Sequence, residues 1–425
     1  MKVLVIGSGG REHAIGLKLS RSPHKPELLF APGNPGMAAL GTCYSIPVDN
    51  IPALLELAKK ESVDLTIVGP EIPLVKGIVD VFQAAGMRIF GPSAQAARLE
   101  GSKAFSKDFM ARHKIPTAAF KTFRDLDPAL DFLDKTGAPV VVKASGLAAG
   151  KGAVVCETLE EARAAILSML GPQAVFGEAG KEIVIEEFMA GEEASVFAVC
   201  DGKNFVLLPT AQDHKRIFDG DLGPNTGGMG AYSPAPLMTP ALLEQTRREI
   251  IEPTLEGMRQ EGHPYQGILF VGLMITAQGP KVVEYNCRLG DPETQAVLPV
   301  YDGDLLELFL NAAEGRLTQS PYEAKGHAAV VVLASGGYPG DYQSGFPIQG
   351  MAEAASVTNV HVVHAGTRIK DGVLQTAGGR ILGVVGEAGS LADALHAAYQ
   401  GAGKIHFEGM QYRRDIGQRG LKAAR

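Results

Sequence analysis

The sequence predicts an α/β protein that opens on a doubly wound parallel sheet, continues through α+β units and closes on a β-rich region. Three features predict it. From Lys2 to about Pro92, short apolar runs alternate with helical patterns. In the middle of the chain the apolar runs meet instead across hairpin signals. Past residue 325 the composition shifts towards closely spaced strands. With 425 residues, 45% hydrophobic and 20% charged, the chain has the make-up of a globular protein with a sizeable core. Its length accommodates roughly two to four domains.

"KVLVIGSGG" begins as a buried parallel-type strand that runs into a glycine loop, and "REHAIGLKLSRS" follows as a helix. "ELLFAPGNPG" is a second strand ending in a Gly/Pro loop. "IPALLELAKKESVDLTIVGPE" is a helix and a strand, and "GIVDVFQAAGMRIFGPS" repeats that unit. Such alternation argues for a doubly wound sheet, closing near Pro92-Ser93. A helical linker, "AQAARLEGSKAFSKDFMARHKI", leads to the strand "PTAAFKTF", a helix, "PVVVKASGLAAGKGAVVC" and another helix. In "KEIVIEEFMAGEEASVFAVCDGKNFVLLPTAQ", Asp201-Gly202 marks a hairpin turn. "LGPNTGGMGAYSP" reads as a long glycine-rich loop. A helix over about 239–261 precedes the hairpin "GILFVGLMITAQGPKVVEYN", whose turn is "AQGPK". After "LFLNAAEGRL", the stretch "HAAVVVLASGGYPG" opens the β-rich tail.

A net charge of -7 argues against general affinity for nucleic acid or anionic membrane. It leaves room for small anions held by a local basic site. Cys43, Cys156, Cys200 and Cys287 form no CxxC pair and sit in apolar stretches, so buried, reduced thiols are expected and a zinc site is not. "HVVH" at 361–364 reads as a strand. Met1-Lys2 runs straight into a strand, and no apolar run reaches about 18 residues, so a cytoplasmic protein is expected.

Four stretches carry chemistry. Gly7-Ser8-Gly9-Gly10-Arg11-Glu12 follows a strand and opens a helix, where amides can meet an anion. The dinucleotide fingerprint wants glycine where Glu12 stands and an acid after the second strand, which ends in "APGNPG". A nicotinamide enzyme is therefore disfavoured. The loop suits a phosphate, with Arg11 as a charged donor, or a ligand-free tight turn. "VVVKASGLAAGKG" sets Lys143 at a strand end below Gly146, Gly150 and Gly152. It is not a Walker loop, and it suits nucleotide phosphates or a solvated hairpin. "EIVIEEFMAGEEAS" offers carboxylates on a hinge. In "VVEYNCRLGDPETQAV", Glu284 and Asn286 stand two apart on a strand and so share a face. Two hard oxygen donors there suit Mg²⁺ beside phosphate oxygens, and Arg288 can pair with a carboxylate or phosphate. A surface salt-bridge cluster is the plainer alternative.

"GSGGREHA", "PGNPG", "GPE" with "PLV", "KASGLAAGKG", "GEEAS", "PNTGGMGAYSP" and "RLGDPETQ" follow one another as they do in the ATP-grasp superfamily. Within it the chain resembles the glycinamide ribonucleotide synthetase family along essentially its whole length, and "RLGDPETQ" is the most specific stretch. The resemblance implies an ATP-grasp fold: an N-terminal substrate-binding domain over 1–102, an ATP-grasp region over 103–325 with a mobile lid at about 118–190, and a C-terminal domain over 326–425. It implies ligation of glycine to 5-phosphoribosylamine with ATP and Mg²⁺ or Mn²⁺, by a monomer without nucleic-acid or membrane partners. Lys103 and Lys143 look like phosphate ligands, with Gly150 in the lid loop 146–152. Glu186, Glu187, Phe188 and Met189 look like the adenine hinge, Glu193 the ribose ligand, and Glu284 and Asn286 the metal ligands. Gly272 stands where many relatives in the superfamily carry a further metal-binding glutamate. Arg288 and Asp291 are the expected catalytic pair, the first for a carboxylate or oxyanion and the second for an amine. Gly9, Gly10, Arg11, Glu71, Asp213 and Gly228 are expected at the substrates, with Gly227 and Gly230 offering further amides. Another ATP-grasp ligase with a different carboxylate, or a nucleotide-binding regulator, are the competing readings.

Overall fold

The computed structural model describes residues 1–148, 152–318 and 324–423. The chain starts with β1 (Lys2–Gly7), α1 (Gly10–Ser20), β2 (Glu27–Pro32), β3 (Thr42–Cys43), α2 (Ile51–Lys60), β4 (Leu65–Val68), α3 (Glu71–Val75), α4 (Ile78–Ala84) and β5 (Ile89–Phe90). Its five strands form a parallel sheet in the order β3-β2-β1-β4-β5. Val3 to Ile6 and Leu65 to Ile67 are buried, as continuous apolar runs in a two-sided parallel sheet should be. Strand order reverses about β1, so the loops after β1 and β4 open side by side at one edge. Such a crevice is where doubly wound sheets bind ligands. Gly9 and Glu71 both lie on that edge.

Next come α5 (Arg98–Gly101) and α6 (Lys103–Arg112), then β6 (Phe120–Phe123), α7 (Leu126–Thr136), β7 (Val140–Ala144), β8 (Ala153–Cys156), α8 (Leu159–Leu170) and β9 (Ile183–Glu187). These strands make an antiparallel sheet, β6-β9-β7-β8. Leu133, Val142, Ile166 and Ile185 belong to an apolar cluster of its own. Thr158 and Glu161 cap α8 reciprocally, which fixes where the helix starts.

Then follow β10 (Glu192–Asp201), β11 (Phe205–Leu207), β12 (Gln212–Asp213), β13 (Arg216–Phe218), β14 (Leu222–Asn225) and β15 (Gly230–Ser233). A helical stretch continues as α9 (Pro240–Thr246), a π-helical segment (Arg247–Ile251) and α10 (Glu252–Gln260), before β16 (Gln266–Thr276) and β17 (Gly279–Asn286). The sheet β11-β10-β16-β17 packs against the N-terminal sheet: Leu4, Val68, Val196, Val271 and Cys287 share one core. The hairpin at Asp201-Gly202 forms as expected, with the Asp201 carboxylate accepting from Asn204 N at 2.6 Å.

The remainder holds α11 (Glu293–Val300), α12 (Leu305–Ala313), β18 (His327–Ala334), α13 (Met351–Ala355), β19 (Val360–His364), β20 (Thr367–Lys370), β21 (Val373–Thr376), β22 (Arg380–Ala388), α14 (Leu391–Ala402) and α15 (Gln418–Ala423). Its main sheet runs β12-β15-β18-β22-β19, so two strands from mid-chain complete it.

Three local expectations are corrected. "LGPNTGGMGAYSP" is two strands joined by a short loop, because β14 pairs with β13 and β15 with β18. Gly230 is there for fit: a Cβ would lie 2.6 Å from Val330 O. The turn between β16 and β17 is tighter than "AQGPK", since pairing already includes Thr276 with Gly279. The tail also carries the helix α14, which is packed on β22 and β18. All four cysteines are free, Cys43 partly and the others fully buried. "HVVH" is the end of β19. Among the described residues, no helix is long and apolar enough to cross a membrane.

Candidate active site

The register of the central sheet brings the carboxylate face together. Ser195 on β10 pairs with Gly272 on β16, and Gly272 with Glu284 on β17. Directly opposed residues share a face, so Ser195, Gly272 and Glu284 form one row, with Asn286 two residues further along. A Cβ on Gly272 would lie 3.5 Å from Glu284 Cγ, so the glycine leaves room before the carboxylate. Burial alone would raise the pKa of Glu284. Lys215, Lys103, Lys143 and Arg288 outweigh that and hold it below the usual range. An ionised carboxylate and an amide oxygen on one face fit a hard divalent cation.

Above this row lies a lysine cluster. Lys143 is the penultimate residue of β7, and its Nζ donates to Glu186 Oε2 (3.0 Å) and to Val283 O (3.1 Å). Lys107 on α6, which lies in no sequence motif, sits 3.0 Å from the same Oε2 and donates to Thr117 Oγ1 at 2.7 Å. Burial lowers the Lys107 pKa to about 8, with Glu186 opposing the shift. Two ammonium groups thus share one oxygen of Glu186, while Oε1 is buried with no hydrogen-bond partner among the described residues. Lys103 Nζ reaches Gly146 O at 3.4 Å. Burial lowers its pKa despite Glu284. Glu187 and Phe188 are exposed and Met189 is half-buried; Glu187 lies 3.7 Å from Lys281 Nζ. Glu193 pairs with Lys215, another residue the motifs did not reveal. Burial opposes the charge on Lys215, yet Glu193, Asp213 and Glu284 keep its pKa well above the ordinary value. Gly150, expected in the lid loop, lies outside the described residues.

At the N-terminal edge the structure spends several groups differently from expectation. Glu12 is 2% exposed, and its Oε2 accepts from Gly9 N at 2.7 Å. A Cβ on Gly7 or Gly69 would come within 2.3 Å or 2.1 Å of the Glu12 side chain. That carboxylate fills the crevice a dinucleotide pyrophosphate would need. Arg11 donates from Nε to Glu12 Oε1 (2.5 Å) and from Nη1 to Leu289 O (3.1 Å), so it is largely engaged within the protein. Gly10 packs against α11, where a Cβ would meet Gln295 Nε2 at 2.6 Å.

Arg288 faces two protein carboxylates: Nη2 lies 2.9 Å from Glu100 Oε1, and Nε is 3.4 Å from Glu71 Oε2, too long for a strong bond. Burial favours a neutral Glu71, but Arg288 and Arg11 lower its pKa. Asp291 accepts from Gln295 Nε2 at 2.8 Å and lies 3.2 Å from Arg380 Nη2. Asp213 and Glu293 are both buried. Burial, reinforced by their mutual repulsion in the case of Glu293, raises the pKa of each. The amides of Gly227 and Gly228 are already used, donating to Tyr338 OH (3.0 Å) and Thr226 Oγ1 (2.9 Å). Gly230 is part of β15. Glu100, Glu293, Tyr338 and Arg380 likewise carry no signal of their own in the sequence. Their partners lie far along the chain, and only Glu293, inside "RLGDPETQ", stood within a motif.

Three family descriptions match the chain: Phosphoribosylglycinamide synthetase, N domain, over residues 1–100; its ATP-grasp (A) domain over 101–294; and its C domain over 328–419. The phosphoribosylamine–glycine ligase of Escherichia coli O157:H7 is 52% identical over 427 residues, spanning 99% of each chain. That of Brucella melitensis biotype 1 is 50% identical over 423 residues, again 99% of each. A crystal structure of phosphoribosylamine–glycine ligase from Thermotoga maritima has a TM-score of 0.84 at 36% identity, covering 98% of this chain and 100% of that one. A biotin carboxylase domain from Hydrogenobacter thermophilus, at 17% identity and a TM-score of 0.73 over 97% and 91%, shares the fold alone.

Proposed function

Since the chain belongs to the phosphoribosylglycinamide synthetase family, we propose that it joins glycine to 5-phosphoribosylamine with ATP, through glycyl phosphate, in purine biosynthesis. It is an ATP-dependent ligase. The observation that carries the residue assignment is the convergence of the Glu284–Asn286 face with Lys103, Lys143 and Lys215. Acyl phosphate formation brings polyanions together and asks mostly for positioning and charge neutralisation. In this reading, Lys103 and Lys143 bind ATP phosphates and the unpartnered Glu186 Oε1 accepts from the adenine amine. The backbone of Glu187, Phe188 and Met189 lines the base, and Glu193 takes the ribose. Glu284 and Asn286 hold Mg²⁺ or Mn²⁺, which when bound shields the phosphate charge.

The glycine carboxylate attacks the γ-phosphorus, and ADP leaves. The amine of phosphoribosylamine then attacks the acyl carbon and expels phosphate. Arg288, set between Glu71 and Glu100, neutralises the carboxylate or developing oxyanion, exchanging a protein carboxylate for a substrate one. Asp291 and Asp213 orient amines. The edge at Gly9, Gly10, Arg11 and Glu71 receives the ribose phosphate outside the crevice that Glu12 fills, on the Arg11 Nη hydrogens not given to Leu289 O, with Gly228 opposite. The division into 1–102, 103–325 and 326–425, with a lid at about 118–190, is part of the same proposal; the separate core of the β6–β9 sheet supports it. We also place the enzyme in the cytoplasm.

The test is ADP release with ATP, glycine and freshly generated phosphoribosylamine, each omitted in turn. Fast turnover should need all three. A crowded site should prefer glycine, and equal rates with alanine would count against the glycine assignment.

A further inference from the structure

One guanidinium from far along the chain closes over the site. Arg380 opens β22, and its Nη1 donates to Gly227 O (2.7 Å), to Asp291 O (2.8 Å) and, more weakly, to Gly228 O (3.4 Å). Its Nη2 lies 3.2 Å from Asp291 Oδ2. Tyr338, just beyond β18, holds the same loop from the other side by accepting from Gly227 N. The contacts are close because glycines permit them. A Cβ on Gly379 would lie 2.2 Å from Tyr338 Cδ2, one on Gly227 3.1 Å from Arg380 Cζ, and one on Gly228 2.3 Å from Pro292 Cδ. On its far side Asp291 approaches the first loop of the chain: a Cβ on Gly9 would be 3.5 Å from Asp291 Oδ2. Three segments therefore converge: the Gly9 loop, the Gly227–Gly228 loop and the Asp291–Pro292 turn. Arg380 ties the last two together.

We propose that Arg380 is a positioning residue for the amide-forming step, holding Asp291 and the Gly227–Gly228 loop where the amine of phosphoribosylamine arrives. This rests on the reading that the Gly9 edge receives that substrate. A planar guanidinium can bond several oxygens at once in fixed directions, which an ammonium cannot do. Arg380 also sets the charge of its partner. Burial would favour a neutral Asp291, yet Arg380 first, then Arg11, Gln295 and Arg288, hold its pKa below the usual carboxylate range. The groups facing Asp291 are Arg380 from β22, Arg11 and the Glu12 carboxylate from α1, Gln295 from α11, and Arg288 from the segment after β17. Without Arg380 the net positive surroundings shrink, so Asp291 should protonate at higher pH.

The experiment uses the full chain, with each substrate varied in turn, in Arg380→Met, Arg380→Lys and Tyr338→Phe. Arg380→Met should raise the KM for phosphoribosylamine about 10- to 100-fold and leave that for ATP nearly unchanged. The acid limb of kcat/KM for phosphoribosylamine should move to higher pH. Arg380→Lys should return the limb towards wild type while leaving KM raised. Tyr338→Phe should raise the same KM by less, without moving the limb, and it carries the test if Arg380→Met does not fold. A parallel rise in the KM for ATP overturns the proposal, as does a lowered melting temperature with unchanged kinetics and pH profile. A wild-type enzyme showing no phosphoribosylamine-dependent ADP release would instead overturn the functional reading beneath it.

Discussion

Removing the Glu284 carboxylate leaves Lys103, Lys143 and Lys215 facing one another with one counter-charge fewer. Glu284→Ala should cut turnover by about two orders of magnitude or more, and Asn286→Ala by less, because a neutral oxygen is lost instead of a charge. Steady-state rates at saturating Mg²⁺, with circular dichroism to confirm folding, check both; near-normal turnover in Glu284→Ala would remove it from the metal site. Gly228 carries a different load. Its φ is +110°, and Pro292 stands where a Cβ would be. Gly228→Ala should cost about 1–3 kcal/mol, read as a lower denaturation midpoint. Glu284 and Asn286 were legible because alternation along a strand is local. Lys107, Lys215 and Arg380 were not, because what gives each its role is a carboxylate or carbonyl on another element. Arg11 was legible as a helix-start residue at an anion-binding edge, but its bond to Leu289 O was not, because that carbonyl lies far along the chain.

At the scale of elements, period and punctuation found most of the parallel strands and the hairpin at Asp201-Gly202. They failed at β14 and β15, where glycine reads as loop until the partner strand is known. The same ambiguity surrounds Gly272, which is a gap in the row Ser195–Gly272–Glu284. Gly272→Glu would set two carboxylates directly opposite across the ladder, and like charges there are destabilising. Without divalent cation the variant should melt below wild type. Mg²⁺ or Mn²⁺ should restore more stability to it than to wild type, because the added carboxylate completes a richer oxygen set. Thermal melts with and without metal decide this, and an identical metal response in both proteins would argue that the row does not face the cation.

Across the whole molecule, two buried histidines act as neutral acceptors at junctions between distant parts of the chain. His13 Nδ1 accepts from His364 N at 2.8 Å, and His214 Nε2 from Gly417 N at 3.3 Å. Burial, aided by His364 and His361 in one case and by Arg419 and Arg413 in the other, depresses each pKa to about 3. A lowered folded-state pKa means stability that is present above the unfolded value near 6.5 and is lost as pH falls through the folded one. Near pH 5 the unfolded chain should bind about two more protons through these groups, a loss of about 2.7 kcal/mol per pH unit. Urea midpoints at pH 7, 6 and 5 measure it, and a flat profile would show that these rings are not held neutral. None of this was visible in sequence, where the histidines belong to no metal or catalytic pattern. The tail could be recognised as strand-rich, but the order β12-β15-β18-β22-β19 depends on two strands written into the chain more than ninety residues before β18 ends. A polypeptide nicked between Lys325 and His327 would therefore yield two pieces with complementary bare edges, each prone to aggregate alone. Made together they should pair again along β15 and β18, so ADP release that returns only when both pieces are present is the expected signature of a two-fragment reporter.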